Sequence, residues 1–362
     1  MGLFDNRKKK SLAKKGVKLV MSENFRESLD YFNQALKIDP DYLDALSFKG
    51  AALGELGEYD KAIECFDTII KLDSKYGSGI AYYIKGLIFQ KLCDYEEAVQ
   101  CYEKALELNY TSLDFPFNMS LSLGKLGRYH EQLKYLNEAL ENYPNHALYW
   151  SNKGAVLNEL KKYEEALESC DNALKINPKD LIALYTRGVS LSELERYDEA
   201  LESFSNIPKS DPNDIGQIIY KGSLIDKGNV LAKMNREDEA IEYYNKALGI
   251  DPEDFRALKN KGLILISIDN YSEALDCFDK IMNSDANDAD ALWGKALSLE
   301  KLGKYEEALK YYNKSLELDP QNDKAKKGRD NIIKTKNKFW LINISFRSRE
   351  WSIIYLIISL IL

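Results

Sequence analysis

Two histidines, five cysteines and a few paired glutamates are the residues from which this 362-residue chain could build chemistry. His130 and His146 lie 16 residues apart with no HExxH or CxxC context. A zinc site or a Ser-His-Asp triad therefore has little to start from. Cys65, Cys93, Cys101, Cys170 and Cys277 form no CxxC pair. Their odd number fits reduced thiols rather than a disulfide framework. The pairs Glu96-Glu97, Glu164-Glu165 and Glu306-Glu307 could act as acid and base in glycoside hydrolysis. They recur, however, at the starts of helix-like segments, where carboxylates favour the positive end of the helix dipole. No phosphate-cradling glycine loop follows a strand-like run. The expectation is a chain with no enzymatic activity, no cofactor and no metal.

These residues are positioned by columns that repeat. EYDKAIECF, DYEEAVQCY, KYEEALESC, RYDEALESF, NYSEALDCF and KYEEALKYY recur along the chain. A small-residue column runs Gly16, Gly50, Gly86, Ser120, Gly154, Gly188, Gly228, Gly262, Ala296, with successive intervals of 34, 36, 34, 34, 34, 40, 34 and 34. Twelve residues after each comes Ser28, Ala62, Ala98, Gln132, Ala166, Ala200, Ala240, Ala274 or Ala308. Cys65, Cys101 and Cys277 share a further column and Cys170 lies one residue along, which argues packing rather than reactivity. Boundaries carry Pro40, Pro144, Pro178, Pro212, Pro252 and Pro320.

The apolar residues between these markers follow helical spacing, as in Leu46, Gly50, Leu53 and Tyr59, Ala62, Ile63, Phe66. Each unit thus reads as two antiparallel helices, with a Gly facing an Ala so that the axes approach closely. Gly57, Gly127, Gly303, Asn235 and Asp269 sit at the turn, where a left-handed residue ends the first helix. Proline ends the second helix.

A 34-residue helical hairpin with these columns resembles the tetratricopeptide repeat (TPR) family, and the resemblance covers about residues 9 to 322. It implies an all-α fold, a helical-hairpin solenoid wound as a right-handed superhelix with a C-terminal capping helix. The expected organisation is a basic lead (1–8), then nine repeats at 9–42, 43–76, 79–112, 113–146, 147–180, 181–214, 221–254, 255–288 and 289–322. A capping helix (323–338) and an apolar tail (339–362) follow. Gln132 and Ser120 depart from the expected Ala and Gly, so the fourth repeat should pack less tightly. The longer intervals place insertions at 76–79 and 208–220, as loops or lengthened helices.

The net charge of −8 argues against nucleic acid as a default partner. The first 18 residues are basic through Arg7, Lys8, Lys9, Lys10, Lys14, Lys15 and Lys18, read as a solvated end helix. No apolar run follows them, so a secretory signal is not expected, and the cytoplasm is the expected compartment. The closing run Trp351 to Leu362 has 12 residues. As a helix it would reach about 18 Å, short of the ~30 Å hydrocarbon core. A tethered, membrane-associated adaptor is the alternative reading, beside a docked helix or a non-native tail.

By family resemblance, first helices line a concave face that binds peptides or helices of other proteins. The residues expected there are Tyr83, Phe117, Tyr185 and Trp293, with Ser151 and Lys259 at equivalent places. Asn118, Asn152, Asn229 and Asn260 supply amides, and the aromatics suit an apolar or mixed peptide. A clamp for a peptide C-terminus, known in some relatives, is not supported. Asn229 and Asn260 are in frame, but Ile225, Asp290 and Gly294 stand where cations are needed.

Overall fold

The computed structural model describes residues 3–72, 77–112, 114–211, 214–284 and 287–336. The described residues are helices joined by short turns, with no strand among them. The helices pair in order: α1 (Leu3–Met21) with α2 (Phe25–Ile38), α3 (Leu43–Glu55) with α4 (Tyr59–Leu72), α5 (Gly77–Lys91) with α6 (Tyr95–Glu107). Next come α7 (Phe115–Lys125) with α8 (Tyr129–Asn142) and α9 (Ala147–Glu159) with α10 (Tyr163–Ile176), followed in the chain by α11 (Leu181–Glu193) and α12 (Tyr197–Ser205). Last are α13 (Ile215–Lys233) with α14 (Glu237–Leu248), α15 (Phe255–Ser267) with α16 (Tyr271–Ser284), and α17 (Ala289–Lys301) with α18 (Tyr305–Leu318). A final helix, α19, covers 323–336. Met1–Ser190 and Leu191–Leu362 form two compact units, and each is built from the same hairpin. The tail 339–362 and residues 337–338 lie outside the described residues.

Every first helix ends in the same way. Glu23, Gly57, Cys93, Gly127, Lys161, Glu195, Asn235, Asp269 and Gly303 all have positive φ, between 56° and 77°. The next residue's N–H then reaches back to a carbonyl inside the helix, as in Glu58 to Leu53 (2.9 Å) and Lys162 to Leu157 (2.9 Å). That is the Schellman pattern, and it satisfies carbonyls the helix end would orphan.

Packing within a hairpin differs from the sequence expectation in one respect. The small column does not chiefly make room for the Ala column. It makes room for the residue 16 positions on: Phe32, Phe66, Tyr102, Leu136, Cys170, Tyr244, Phe278 and Tyr312, all buried. A Cβ on Gly16 would stand 2.6 Å from the Phe32 ring, on Gly50 2.8 Å from Phe66, and on Gly262 2.8 Å from Phe278. At Gly154 it would meet the sulfur of Cys170 at 2.6 Å. Cys170 thus takes the ring position, one place along from the other cysteine column.

Lysine or arginine just before the small residue ties hairpins together. Lys85 pairs with Asp67 (2.5 Å), Arg187 with Asp171 (2.9 Å) and Lys295 with Asp279 (2.5 Å). The 208–220 insertion is taken up by shortening α12 to 9 residues and lengthening α13 to 19. Residues 3–8, read as a separate lead, form the first turns of α1. At the other end Ala325 and Ile332 of α19 pack on Ala296, Leu299, Ala308 and Tyr312.

Candidate partner-binding site

At 3.6 residues per turn, positions three before, one after and four after the small residue share a face of each first helix. That face lies beside the small residue rather than opposite it, about 70° round the helix on average. The position one after is half-buried throughout: Ala51, Leu87, Leu121, Ala155 and Val189 in the first unit, Asn229, Leu263 and Leu297 in the second. Most are aliphatic and retain accessible surface. The sequence reading named only Asn229 of this column, although its constant offset from the small residues was there to be counted.

The expected site residues divide. Tyr83 is only 9% exposed and is corrected from surface anchor to core. Its ring lies 5.7 Å from Phe115 of α7 and 5.3 Å from Tyr110. Its hydroxyl accepts a hydrogen bond from Asn118 Nδ2 at 2.8 Å. Ser151 is also fully buried, its hydroxyl donating to the Leu148 carbonyl at 3.1 Å, so it too leaves the surface set. A small hydroxyl residue folds back onto its own helix instead of projecting. Phe117, Tyr185 and Trp293 are half-buried. Phe117 stacks on Tyr149 with centroids 4.6 Å apart, and Lys324 Nζ sits 4.9 Å from the Trp293 ring.

In the second unit the amides link neighbouring first helices. Asn229 Oδ1 accepts from Asn260 Nδ2 (2.7 Å) and from the Tyr244 hydroxyl (2.8 Å), while its Nδ2 donates to Asp226 (3.1 Å). Burial pushes the Tyr244 phenol far above its ordinary pKa, so it acts as a donor at any physiological pH. Lys259 forms an ion pair with Asp290 of α17. Ile225 is fully buried and Gly294 lies against the Phe278 ring, so neither place could host a clamp cation without repacking.

In the first unit a cleft of about 270 Å³ opens between α7 and α9. Leu121, Gly124, Asn152, Ala155, Val156 and Gln132 line it, with Lys125 and Glu159 among its charged residues. It sits where the columns depart. Two other hairpins close the equivalent space with a tyrosine whose hydroxyl is held by a first-helix side chain: Tyr102 donates to Gln90 (3.2 Å), Tyr312 to Glu300 (2.6 Å). Here Leu136 replaces the tyrosine and Gly124 stands where Gln90 and Glu300 do.

The cysteine columns are buried, and burial pushes the Cys65, Cys101 and Cys277 thiols up and that of Cys170 up to about 12. These are packing thiols, poor nucleophiles. Cys93 is exposed in its turn. Among the described residues no three His, Cys, Asp or Glu side chains group as metal ligands. No helix among them is long and apolar enough to cross a membrane.

Tetratricopeptide-repeat family models match residues 79–109, 147–180, 223–254 and 289–322, residues 19–78, and residues 117–146. A curated relative, the uncharacterized protein MJ0572 of Methanocaldococcus jannaschii, is 43% identical over 53 residues, 15% of this chain and 62% of that protein. The chain thus covers less than two thirds of this relative. Among solved structures, a tetratricopeptide repeat protein from Parabacteroides merdae aligns with TM-score 0.54 at 17% identity, over 71% of this chain and 100% of that one. PilW, a widely conserved type IV pilus biogenesis factor, aligns with TM-score 0.53 at 20% identity, over 59% of this chain and 97% of that one. At such identities the likeness shows the fold alone.

Proposed function

Because the chain belongs to the tetratricopeptide repeat family, whose fold is generally a non-catalytic scaffold for protein interactions, we propose that it holds peptide or helical segments of partner proteins along the face of its first helices. The half-buried column of Leu87, Leu121, Val189, Leu263 and Leu297 carries this reading. Aliphatic side chains that repeat at hairpin spacing with surface left over offer a partner apolar burial in register with the array. Phe117, Tyr185 and Trp293 flank that column as anchors, because a half-buried aromatic can still bury more of its ring against a partner. Asn118, Asn152, Asn229, Asn260 and Lys259 fix the first helices and present polar groups at the rim. The unpaired, buried cysteines suit a reducing compartment, so the cytoplasm is the proposed location.

Photo-crosslinking tests this. A benzophenone amino acid is placed at Leu87, Leu121 or Leu263 in one set, and at Lys134 or Glu141 on α8 in another. The expected result is that the first set captures a common partner segment and the second does not. Capture only from α8 would overturn the first-helix reading.

A further inference from the structure

The cleft between α7 and α9 is where the small column of the second helices carries an amide instead. Gln132 occupies the column that is otherwise Ala or Ser and fully buried. Its side chain is 8% exposed, lines the cleft, and lies against Gly124, where an added Cβ would come within 2.6 Å of Nε2 and 2.8 Å of Oε1. No described residue hydrogen-bonds to this carboxamide, and its polar atoms open into the cleft rather than being sealed in the core. A ligand that displaces solvent from the cleft must replace the hydrogen bonds solvent offers this amide, or lose affinity. We propose that this cleft is a side-chain pocket that selects an uncharged carboxamide, from asparagine or glutamine, on a partner segment. The inference rests on the first-helix reading above.

The chemistry of the pocket decides between occupants. A carboxamide offers donor and acceptor side by side, so a second carboxamide can pair with it through two complementary hydrogen bonds, both neutral. A carboxylate would satisfy the Gln132 NH₂ but set its oxygens against Oε1, and would be desolvated as well. An ammonium would answer Oε1 alone. Leu121, Ala155 and Val156 give the methylene stem an apolar wall. Lys125 and Glu159 carry opposite charges, so they favour neither sign of ligand. About 270 Å³ lies just below the range of small-ligand pockets, about 300–1,000 Å³, and suits one side chain rather than a folded element.

The full chain, labelled with ¹⁵N in glutamine side chains, is titrated with acetylated, amidated Ala-Ala-X-Ala-Ala peptides in which X is Gln, Asn, Glu or Leu. The Gln132 resonances are assigned by their loss in Gln132→Ala, which restores the column residue and should fold. The expected result is a saturable shift with Gln or Asn, about tenfold tighter than with Leu or Glu, a difference of about 1.4 kcal/mol. Gly124→Ala, which presses on the carboxamide, should weaken it by a similar factor. Leu binding as tightly as Gln makes the cleft merely apolar and overturns the proposal; so does preference for Glu, or no shift with any peptide. If crosslinking through Leu121 persists in those cases, the first-helix reading stands and only amide selection falls. If crosslinking fails too, both fall.

Discussion

The pairs α7–α8 and α15–α16 are the same hairpin written with different residues. In α15–α16 the small, Ala and ring columns hold Gly262, Ala274 and Phe278. The Phe278 ring lies against Gly262 of its own pair and Gly294 of the next first helix, so one side chain fills the space between three helices. In α7–α8 the same places hold Ser120, Gln132 and Leu136. Leu136 is fully buried but is shorter than a ring, and a cleft remains beside α9. The repeat columns therefore account for the architecture, while the departures from them account for local chemistry.

The largest test of this contrast removes the two core side chains. Phe278→Ala should lose about 3–5 kcal/mol, because it empties a site bounded by helices on all sides. Leu136→Ala should fall near the lower end of the roughly 2–5 kcal/mol range for aliphatic truncation, since it enlarges an existing cleft. A repeat array need not unfold in one step, so hydrogen exchange at the amides of each pair is the proper measurement. Equal losses would break the comparison.

Glycine substitutions sharpen it. Gly262→Ala drives a Cβ into the Phe278 ring, which is confined on both sides, and should destabilise by about 1–3 kcal/mol. Gly124→Ala meets only the flexible end of Gln132 and should leave the melting temperature nearly unchanged. If Gly124→Ala destabilises as strongly as Gly262→Ala, the Gln132 side chain is held rigidly and the cleft is not adaptable.

A third test concerns the ladder between hairpins in the second unit. Lys227 stands in the column of Lys85, Arg187 and Lys295, but Ser205 occupies the place of Asp67, Asp171 and Asp279. Lys227 is buried, its Nζ 5.2 Å from the Tyr243 ring. Burial, with Lys246 adding repulsion, holds its ammonium below the usual lysine range. A lowered lysine pKa opposes folding while the group is charged, and the penalty fades as pH rises through the lowered value toward that of the unfolded chain. Ser205→Asp should add up to about 1 kcal/mol at low salt, less at high salt, and should bring the Lys227 pKa up. Unchanged stability at all salt concentrations would mean that the shortened α12 no longer carries residue 205 to the ladder.

How far the sequence alone reaches is visible in particular residues. Periodicity locates hairpins because each helix must bury one stripe, and Gln132 was recognisable as a misfit before any coordinates. The burial of Tyr83 was not, because it depends on Phe115 and Tyr110, which reach it from α7 and from the turn after α6. Nor was the true neighbour of the small column. A Gly and an Ala twelve residues apart suggest mutual contact, but which side chain fills the space is a matter of three-dimensional direction that spacing does not encode. The left-handed turn was legible at Gly57 or Asn235 and hidden at Lys161, where the side chain gives no sign of the conformation.

That hidden group supplies the smallest effect and a check on the regular part of the array. Glu23, Cys93, Lys161 and Glu195 take the same positive φ as Gly57, Gly127 and Gly303. For a residue with a Cβ, that conformation costs about 1–2 kcal/mol. Glycine avoids the strain but loses about 0.5–1 kcal/mol through the greater freedom of the unfolded chain. The two terms leave Lys161→Gly more stable by about 0.5 kcal/mol. Gly57→Ala should lose about the same amount, since the terms reverse. The two variants together cancel only if the turns are equivalent, which a denaturation series on the singles and the double can read directly. A destabilised Lys161→Gly would mean that the Lys161 side chain itself supports its turn, and that the turns differ between pairs as the cores do.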